Sequence, residues 1–315
     1  MIVPSSLVFA EDSGSQLSII PNLEGAYENP EAGLKIVLPE GWKGVQQYGG
    51  FVTAGPEGVA VDPRIQPDVL MSIIPKSKVA YSESITKYTP PSDTSDIVCS
   101  ITEASYETIN NLSARKSVQI CEGGTYSIIR STEIFSDKYY IGIFLSARTL
   151  DLYDRNVAAF EESLKTLEIK DAQDFRTAES SILQLQKEYP VVTLFEKKTD
   201  VPIESNVAVT DFAFDEQKKQ LTFHIEGKKD IRGIADIEIS KVLEGPFTVL
   251  VDGKAVDTFA TIDGQGSQFI RSYYDDASHD VTVIGTKTVP EFPAVVGALA
   301  AVMAAAILLG RKFRR

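Results

Sequence analysis

The sequence predicts an α+β chain that consists of an α/β domain, a β-sandwich domain and a C-terminal transmembrane helix. Alternating apolar residues such as Leu34, Ile36 and Leu38 predict half-buried strands. Other apolar residues recur at helical spacing, and the uncharged run Ala294 to Gly310 is close to the length that crosses a bilayer. The length of 315 residues is typical of two domains.

The charge balance limits the classes of partner. The formal net charge is −13, although four basic residues lie near the end of the chain, so the remainder is more acidic still. Nucleic-acid binding uses a basic face, and docking on anionic lipid headgroups uses basic clusters. An acidic surface of this kind keeps an exposed protein soluble. The composition therefore argues against nucleic acid as a partner and against an anionic membrane surface as a docking site.

The N-terminal segment resembles the end of a secretory signal peptide. Residues 1–10 are largely apolar, and Val8 and Ala10 place small residues at the positions that signal peptidases accept. A positively charged start is missing, so we expect residues 1–10 to be the remnant of a longer signal peptide. Residues 11–20 are polar and are expected to be disordered.

The C-terminal segment 289–315 combines a short motif, an apolar run and a basic tail. As a helix, Ala294 to Gly310 would span about 26 Å. By the positive-inside rule the tail stays in the cytoplasm, which leaves residues 11–293 outside. The order of the three parts closely resembles the archaeal PEF-CTERM class of sorting signals, which implies processing by an archaeosortase-type membrane enzyme; the alternative is an anchor that is never cut. The motif residues are Pro290, Glu291, Phe292 and Pro293, and the tail residues are Arg311, Lys312, Arg314 and Arg315.

The first domain, residues 21–170, begins with a strand between two turns and ends with a helix. The segment 126–147 predicts a long hairpin with its turn at 136–138, and Tyr153, Val157, Phe160 and Leu164 share one helical face. The two ends of this region resemble the PsbP-like α/β sandwich family, which implies a fold and no shared catalytic residues. The matching residues are Tyr27, Asn29, Gly33, Pro39, Gly41, Trp42, Phe160 and Ser163.

Residues 171–200 predict a helical linker, because Phe175, Ala178, Ile182 and Leu185 form an apolar stripe that Pro190 ends. The stripe either packs on a domain or binds a partner.

Residues 201–288 predict an immunoglobulin-like β-sandwich, since short alternating strands are separated by regular turns. This region also resembles the β-sandwich stalk domain that precedes such sorting signals in archaeal surface proteins.

Few side chains qualify as sites. Cys99 and Cys121 predict a disulfide if the chain is exported and two buried thiols otherwise. Asn111 opens an Asn-Leu-Ser sequon, which is usable for glycosylation only after export. Asp275, Asp276 and Asp280 offer oxygen ligands for Ca²⁺ but lack the spacing of a calcium loop, so a solvated acidic turn is the competing interpretation.

The sequence thus predicts a non-catalytic, exported cell-surface protein on the extracellular side of the cell membrane, with its C-terminus in the cytoplasm before any processing. No nucleophile–base arrangement supports an enzyme and no motif predicts a cofactor; the surface partner is unidentified. The alternative is an extracellular solute- or metal-binding module in the first domain, which predicts an aromatic pocket near Tyr48, Phe51 and Tyr81. A hydrolase is a third hypothesis, and it would need converging acidic or histidine side chains with shifted pKa values.

Overall fold

The fold is described from a computed structural model. The predicted signal remnant, sorting motif, membrane span and basic tail lie outside the described residues. Among the helices that are described, none has the length and apolar character needed to cross a membrane. The description covers residues 20–56, 58, 66–88, 98–256, 259–262 and 266–289, with the backbone alone for Tyr48 and Phe259.

Helices are short and few in this part of the chain. Each α-helix begins after a residue whose side chain accepts a hydrogen bond from a backbone N–H three positions on, namely Ser77, Thr149 and Asp174. Such caps satisfy N–H groups that the first helical turn leaves unpaired. The α-helices are α1 (Lys78–Thr86), α2 (Leu150–Leu164) and α3 (Phe175–Ile182), and short 3-10 helices lie at Tyr48–Gly50 and Ile239–Lys241.

Strands form most of the described structure. Those before α3, which we call the first half, are β1 (Ile20–Leu23), β2 (Ala26–Asn29), β3 (Leu34–Val37), β4 (Lys43–Gln46), β5 (Val52–Gly55), β6 (Val69–Ser77), β7 (Val98–Ile109), β8 (Leu112–Glu122), β9 (Ile128–Phe135), β10 (Tyr139–Ala147) and β11 (Glu168–Ile169). 

Strands after α3 form the second half. They are β12 (Gln186–Glu188), β13 (Val191–Leu194), β14 (Lys197–Asp200), β15 (Ile203–Ser205), β16 (Ala208–Asp215), β17 (Gln220–Glu226), β18 (Gly233–Glu238), β19 (Leu243–Glu244), β20 (Thr248–Val251), β21 (Lys254–Val256), β22 (Phe259–Ile262), β23 (Gln268–Tyr274), β24 (His279–Ile284) and β25 (Lys287–Thr288).

One large sheet runs through both halves. Its 13 strands follow the order β1-β4-β5-β6-β10-β9-β8-β7-β22-β23-β18-β15-β12. The halves meet where β7 lies parallel to β22, with Ser105 opposite Ile262. A sheet of five strands, in the order β16-β17-β24-β20-β21, belongs wholly to the second half, and smaller sheets join β11-β3-β2, β13-β14 and β19-β25.

Three apolar cores lie around this sheet. In the first half, α2 covers one face and buries Phe160 and Leu164. In the second half, the five-stranded sheet buries Leu221, Phe223 and Ile225 against the large sheet. The third core lies on the other face, where α1 and α3 pack at the junction of the two halves. Strand β10 is buried almost throughout, because it has helices over both faces.

The predicted α+β class is therefore wrong. The described residues are mostly β-sheet, and the three α-helices among them have only 9, 15 and 8 residues. An α/β sandwich followed by a separate immunoglobulin-like β-sandwich does not describe this structure, because the main sheet continues from one half into the other; the predicted transmembrane helix lies outside the described residues. Alternation along a strand predicts which face is buried, but it carries no information about which strand lies beside it.

Candidate functional site

Two arginine–carboxylate pairs lie on the junction face of the large sheet, one in each half. In the first half, Arg115 of β8 lies directly opposite Glu133 of β9, and its Nε donates to Glu133 Oε2 at 2.7 Å. In the second half, Arg271 of β23 lies opposite Asp236 of β18, and its Nε donates to Asp236 Oδ1 at 2.7 Å. Directly opposite residues on neighbouring strands have their side chains on the same face, which is why each pair forms.

Glu179 of α3 joins the two pairs. Its Oε1 accepts from Arg115 Nη1 and from Arg271 Nη1, both at 2.9 Å, and its Oε2 accepts from Arg271 Nη2 at 2.9 Å. The side chain is only 2% exposed. The result is a continuous series of alternating charges across the junction, which we call the junction network: Glu133, Arg115, Glu179, Arg271 and Asp236.

Aromatic rings enclose the junction network. Tyr81 of α1 donates its hydroxyl to Glu179 Oε1 at 2.7 Å, and its ring stacks on Tyr140 with centroids 4.3 Å apart. The Arg115 guanidinium lies over the Phe175 ring, 5.0 Å from its centroid. These rings exclude water from the charges, which strengthens each ion pair and makes an unpaired charge costly.

The pKa values follow from this environment. Burial by itself would raise the pKa of Glu179, but the charges of Arg115 and Arg271 and hydrogen bonds from Arg271 and Tyr81 outweigh it and lower the pKa to about 2. Burial would lower the pKa of both arginines, yet the neighbouring carboxylates raise it. Glu179 is thus ionised at neutral pH, and a carboxylate with so low a pKa is a poor proton acceptor. The arrangement fits an electrostatic joint better than acid–base chemistry.

Sequence analysis did not predict any member of the junction network. A signal exists in the strand sequences "IIRSTEIF", "GIADIE" and "QFIRSYY", where one or two charged residues stand among apolar ones. A charge in such a strand must be buried or must lie at an edge, and a buried charge requires a partner. The pattern indicates that Glu133, Asp236 and Arg271 need partners, but it does not say which residues these are.

The acidic residues that were predicted as a metal site have separate partners. Asp275 Oδ1 contacts His279 Nε2 at 2.7 Å, Asp280 Oδ1 contacts His224 Nδ1 at 2.8 Å, and Asp276 Oδ2 accepts from the backbone N–H of residue 230 at 3.2 Å. Within the described ranges, no group of three or more His, Cys, Asp or Glu side chains is placed to hold a metal ion.

His279 is the centre of a second charged cluster, with Asp252 and Asp275, which we call the histidine cluster. Its Nδ1 lies 2.8 Å from Asp252 Oδ2 while its Nε2 contacts Asp275. Burial would lower the pKa of His279, but the hydrogen bonds with the two carboxylates raise it. With a carboxylate at each ring nitrogen, the imidazolium form fits this cluster best.

The predicted disulfide between Cys99 and Cys121 is confirmed. The two cysteines lie directly opposite each other on β7 and β8, and both are buried.

The predicted glycosylation residue, Asn111, lies in the two-residue turn between the same strands, where Asn110 and Asn111 have φ of 48° and 64°. This turn requires left-handed backbone at both positions, which asparagine tolerates well. Asn111 is exposed. Ser113, the third residue of the sequon, is engaged within the fold, because its hydroxyl accepts a hydrogen bond from the backbone N–H of Phe175 at 3.0 Å.

The aromatic pocket of the binding-module hypothesis does not form at Tyr81, which is 3% exposed and lies within the junction core. The side chain of Tyr48 lies outside the description. An open, polar groove of about 740 Å³ lies elsewhere, between α3 and β12. Arg176 and Lys187 line it, and both pair with Glu204 at 3.7 and 3.3 Å.

Comparisons with known proteins show a structural likeness. No protein-family model matches the chain, and no curated protein matches it. Among solved structures, the chain is similar to the solution structure of the cyanobacterial PsbP protein CyanoP from Synechocystis, with a TM-score of 0.34 and 14% sequence identity. The match covers 48% of this chain and 94% of that chain. CyanoP belongs to the family that the first-domain motifs resemble, but a likeness at this level carries no functional conclusion.

Proposed function

We propose that this is a non-catalytic, exported protein displayed on the extracellular side of the cell membrane. The observation that carries the proposal is the buried disulfide between Cys99 and Cys121. Disulfides form and persist in oxidising compartments outside the cytosol. The acidic composition, with a formal net charge of −13, fits a body that stays soluble in that environment.

The junction network supports display as one rigid unit. Arg115 and Arg271 belong to different halves, and each donates to the same Glu179 carboxylate. A hinge between the halves would break these bonds and leave buried charges unpaired, which is strongly unfavourable. In the proposed function, the second half is a spacer that holds the first half away from the membrane.

The C-terminal sequence supplies the attachment in this proposal. Residues 290–293 form the sorting motif, an archaeosortase-type enzyme is the processing partner, and the basic tail remains in the cytoplasm before processing. The alternative is an extracellular solute- or metal-binding module in the first half. Saturable binding of a small solute or a metal ion to the folded chain would favour it.

Fractionation of the native cells followed by intact-mass analysis tests the proposal. We expect the protein in the membrane fraction, with its mass lowered by the two thiol hydrogens that the Cys99–Cys121 bond removes. The same spectrum reports N-terminal cleavage, a glycan at Asn111 and processing after residue 289. A variant with Cys99→Ser and Cys121→Ser is the control for the disulfide mass. A full-length, reduced and unmodified chain in the cytosol would contradict the proposal.

A further inference from the structure

The open groove between α3 and β12, which we call the polar groove, has walls of polar side chains. Its volume of about 740 Å³ lies within the range of about 300–1,000 Å³ that ligand pockets occupy. Among the described residues that line it, only Leu185 is apolar, and Leu185 is itself buried. The lining therefore favours a ligand that forms hydrogen bonds over an apolar one. The residues that would act on such a ligand are Arg176, Ser180, Ser181, Lys187 and Glu204.

Arg176 is held in the polar groove by aromatic rings. Its guanidinium carbon lies 3.8 Å from the centroid of the Phe269 ring and 5.4 Å from that of the Tyr106 ring. A stacked guanidinium uses its face for the ring and keeps its N–H edge for other groups. That edge forms no hydrogen bond within the described part of the chain, since Glu204 Oε1 lies 3.7 Å from Nη2, beyond hydrogen-bond distance. A guanidinium that is held in place with free N–H groups is ready to receive an anion.

The other charges in the polar groove limit the kind of anion. Lys187 Nζ lies 3.3 Å from Glu204 Oε1, so this cation is already paired. A second carboxylate, Asp174, accepts hydrogen bonds from the backbone N–H and the hydroxyl of Thr177 at 2.9 and 2.8 Å. Two cations and two carboxylates balance, so a ligand with two negative charges, such as phosphate, gains no net attraction and is repelled by both carboxylates. A ligand with a single carboxylate can use the N–H edge of Arg176 with less repulsion.

Two serine hydroxyls lie on the helix side of the polar groove. Ser180 and Ser181 stand near the end of α3, and neither hydroxyl has a hydrogen-bond partner among the described residues. A serine hydroxyl can both donate and accept a hydrogen bond, as the hydroxyl of a sugar can. The polar groove therefore places a receptor for one carboxylate beside free hydroxyl groups.

We infer that the polar groove binds a sugar acid, either free or as one residue of a polysaccharide. The carboxylate of the ligand lies on the N–H edge of Arg176, whose planar fork matches it with two parallel hydrogen bonds. The sugar hydroxyls exchange hydrogen bonds with Ser180 and Ser181. This inference goes beyond the proposed display and does not depend on it. The site also differs from the binding module considered for the first half, because the groove lies between α3 and β12.

Isothermal titration calorimetry on the folded, full-length chain tests the inference. D-Glucuronate has both the carboxylate and the hydroxyls, whereas D-glucose lacks the carboxylate and acetate lacks the hydroxyls. We expect D-glucuronate to bind at one site, and D-glucose and acetate to bind at least about tenfold more weakly. An aldobiouronic acid, which is a disaccharide with one uronate, distinguishes the two sources of the ligand. Tighter binding of this disaccharide than of D-glucuronate would indicate a polysaccharide, and equal binding would indicate a free sugar acid.

Substitutions assign the binding to the polar groove. Arg176→Lys keeps the charge and removes the planar fork, so the affinity for D-glucuronate should fall at least about tenfold. The matched control is Arg155→Lys, the same change at an exposed helical arginine of α2, which should leave the affinity unchanged. Ser180→Ala with Ser181→Ala should weaken the binding of D-glucuronate at least about threefold and leave that of acetate unchanged. A urea transition like that of the unsubstituted chain shows that a variant is folded.

Several results would overturn the inference. If neither D-glucuronate nor the aldobiouronic acid bound saturably to the unsubstituted chain, the site would be rejected without any variant. If acetate bound as tightly as D-glucuronate, the groove would recognise an anion and not a sugar. If a folded Arg176→Lys variant kept the full affinity, the ligand would bind elsewhere, as the first-half module requires. None of these results bears on the proposed display, which the fractionation of native cells tests.

Discussion

The junction network and the histidine cluster are built from the same types of group but differ in burial. Each has a cation between two carboxylates: Arg271 lies between Glu179 and Asp236, and His279 lies between Asp252 and Asp275. Arg271 and its two partners are 2–7% exposed, whereas Asp252 and Asp275 are 53% and 42% exposed. In the junction network, water cannot replace a lost partner, whereas it can at the carboxylates of the histidine cluster. An arrangement of a cation between two carboxylates therefore holds the two halves together in the junction network. In the histidine cluster, the same arrangement makes only a small contribution to a surface loop.

The largest effect is expected from Arg271→Met, which keeps an unbranched apolar side chain and removes the charged guanidinium. Glu179 would lose its bidentate partner and Asp236 would be left as a buried, unpaired carboxylate. We expect the free energy of unfolding to fall by about 3–5 kcal/mol, measured by urea denaturation at neutral pH. A loss below about 1 kcal/mol would mean that the network contributes no more than a surface ion pair.

Acid should weaken the junction through Glu179. Its pKa is lowered from 4.5 to about 2 in the folded state, so the stability that it contributes is fully present above pH 4.5. That stability is lost as the pH falls from 4.5 through about 2, and the shift corresponds to about 3 kcal/mol. Glu179→Gln is the matched variant: its unfolding free energy should be lower at neutral pH and should change less over this range. If the unfolding free energies of the two proteins changed in parallel with pH, Glu179 would be ruled out as the source of the acid sensitivity.

The histidine cluster should respond to pH in the opposite direction and more weakly. Because the folded pKa of His279 is raised above 6.5, the stability that it contributes is present below pH 6.5 and is lost as the pH rises through the folded pKa. Ion pairs of exposed groups contribute about 0.5 kcal/mol. We expect His279→Gln to destabilise the protein by about that amount at pH 6 and to match the unsubstituted chain in alkaline solution. If the unfolding free energies of His279→Gln and the unsubstituted chain differed by the same amount at every pH, the His279 ring would act through packing and not through its charge.

The smallest effect is expected from Arg155→Met, the same substitution on an exposed ion pair. Arg155 pairs with Asp151 one turn away on α2, and their side chains are 70% and 68% exposed. Solvent screens this pair, so we expect a change within about 0.5 kcal/mol in the urea experiment used for Arg271→Met. Similar losses for both arginine variants would contradict the view that burial decides the contribution.

Local patterns predicted local structure well. The predicted hairpin at 126–147 is β9 and β10 joined at 136–138, and the stripe from Tyr153 to Leu164 lies on α2. The disulfide was predicted only on the condition of export, because the sequence left two buried thiols as the alternative; the structure forms the bond. The pairing of β7 with β22 was not predictable, since the edge of a strand leaves no periodic signal in its own sequence. The junction network depends on that pairing, because it brings together residues that are up to about 150 positions apart in the chain.

Unfolding measured separately in the two halves tests most directly whether they form one unit. Fluorescence of Trp42, the single tryptophan, reports the first half, and hydrogen exchange of β17 amides reports the second half. For the unsubstituted chain we predict coincident urea transitions by both probes, and for Glu179→Gln two transitions that separate. Separate transitions in the unsubstituted chain, or coincident ones in Glu179→Gln, would contradict the conclusion that the junction network joins the halves.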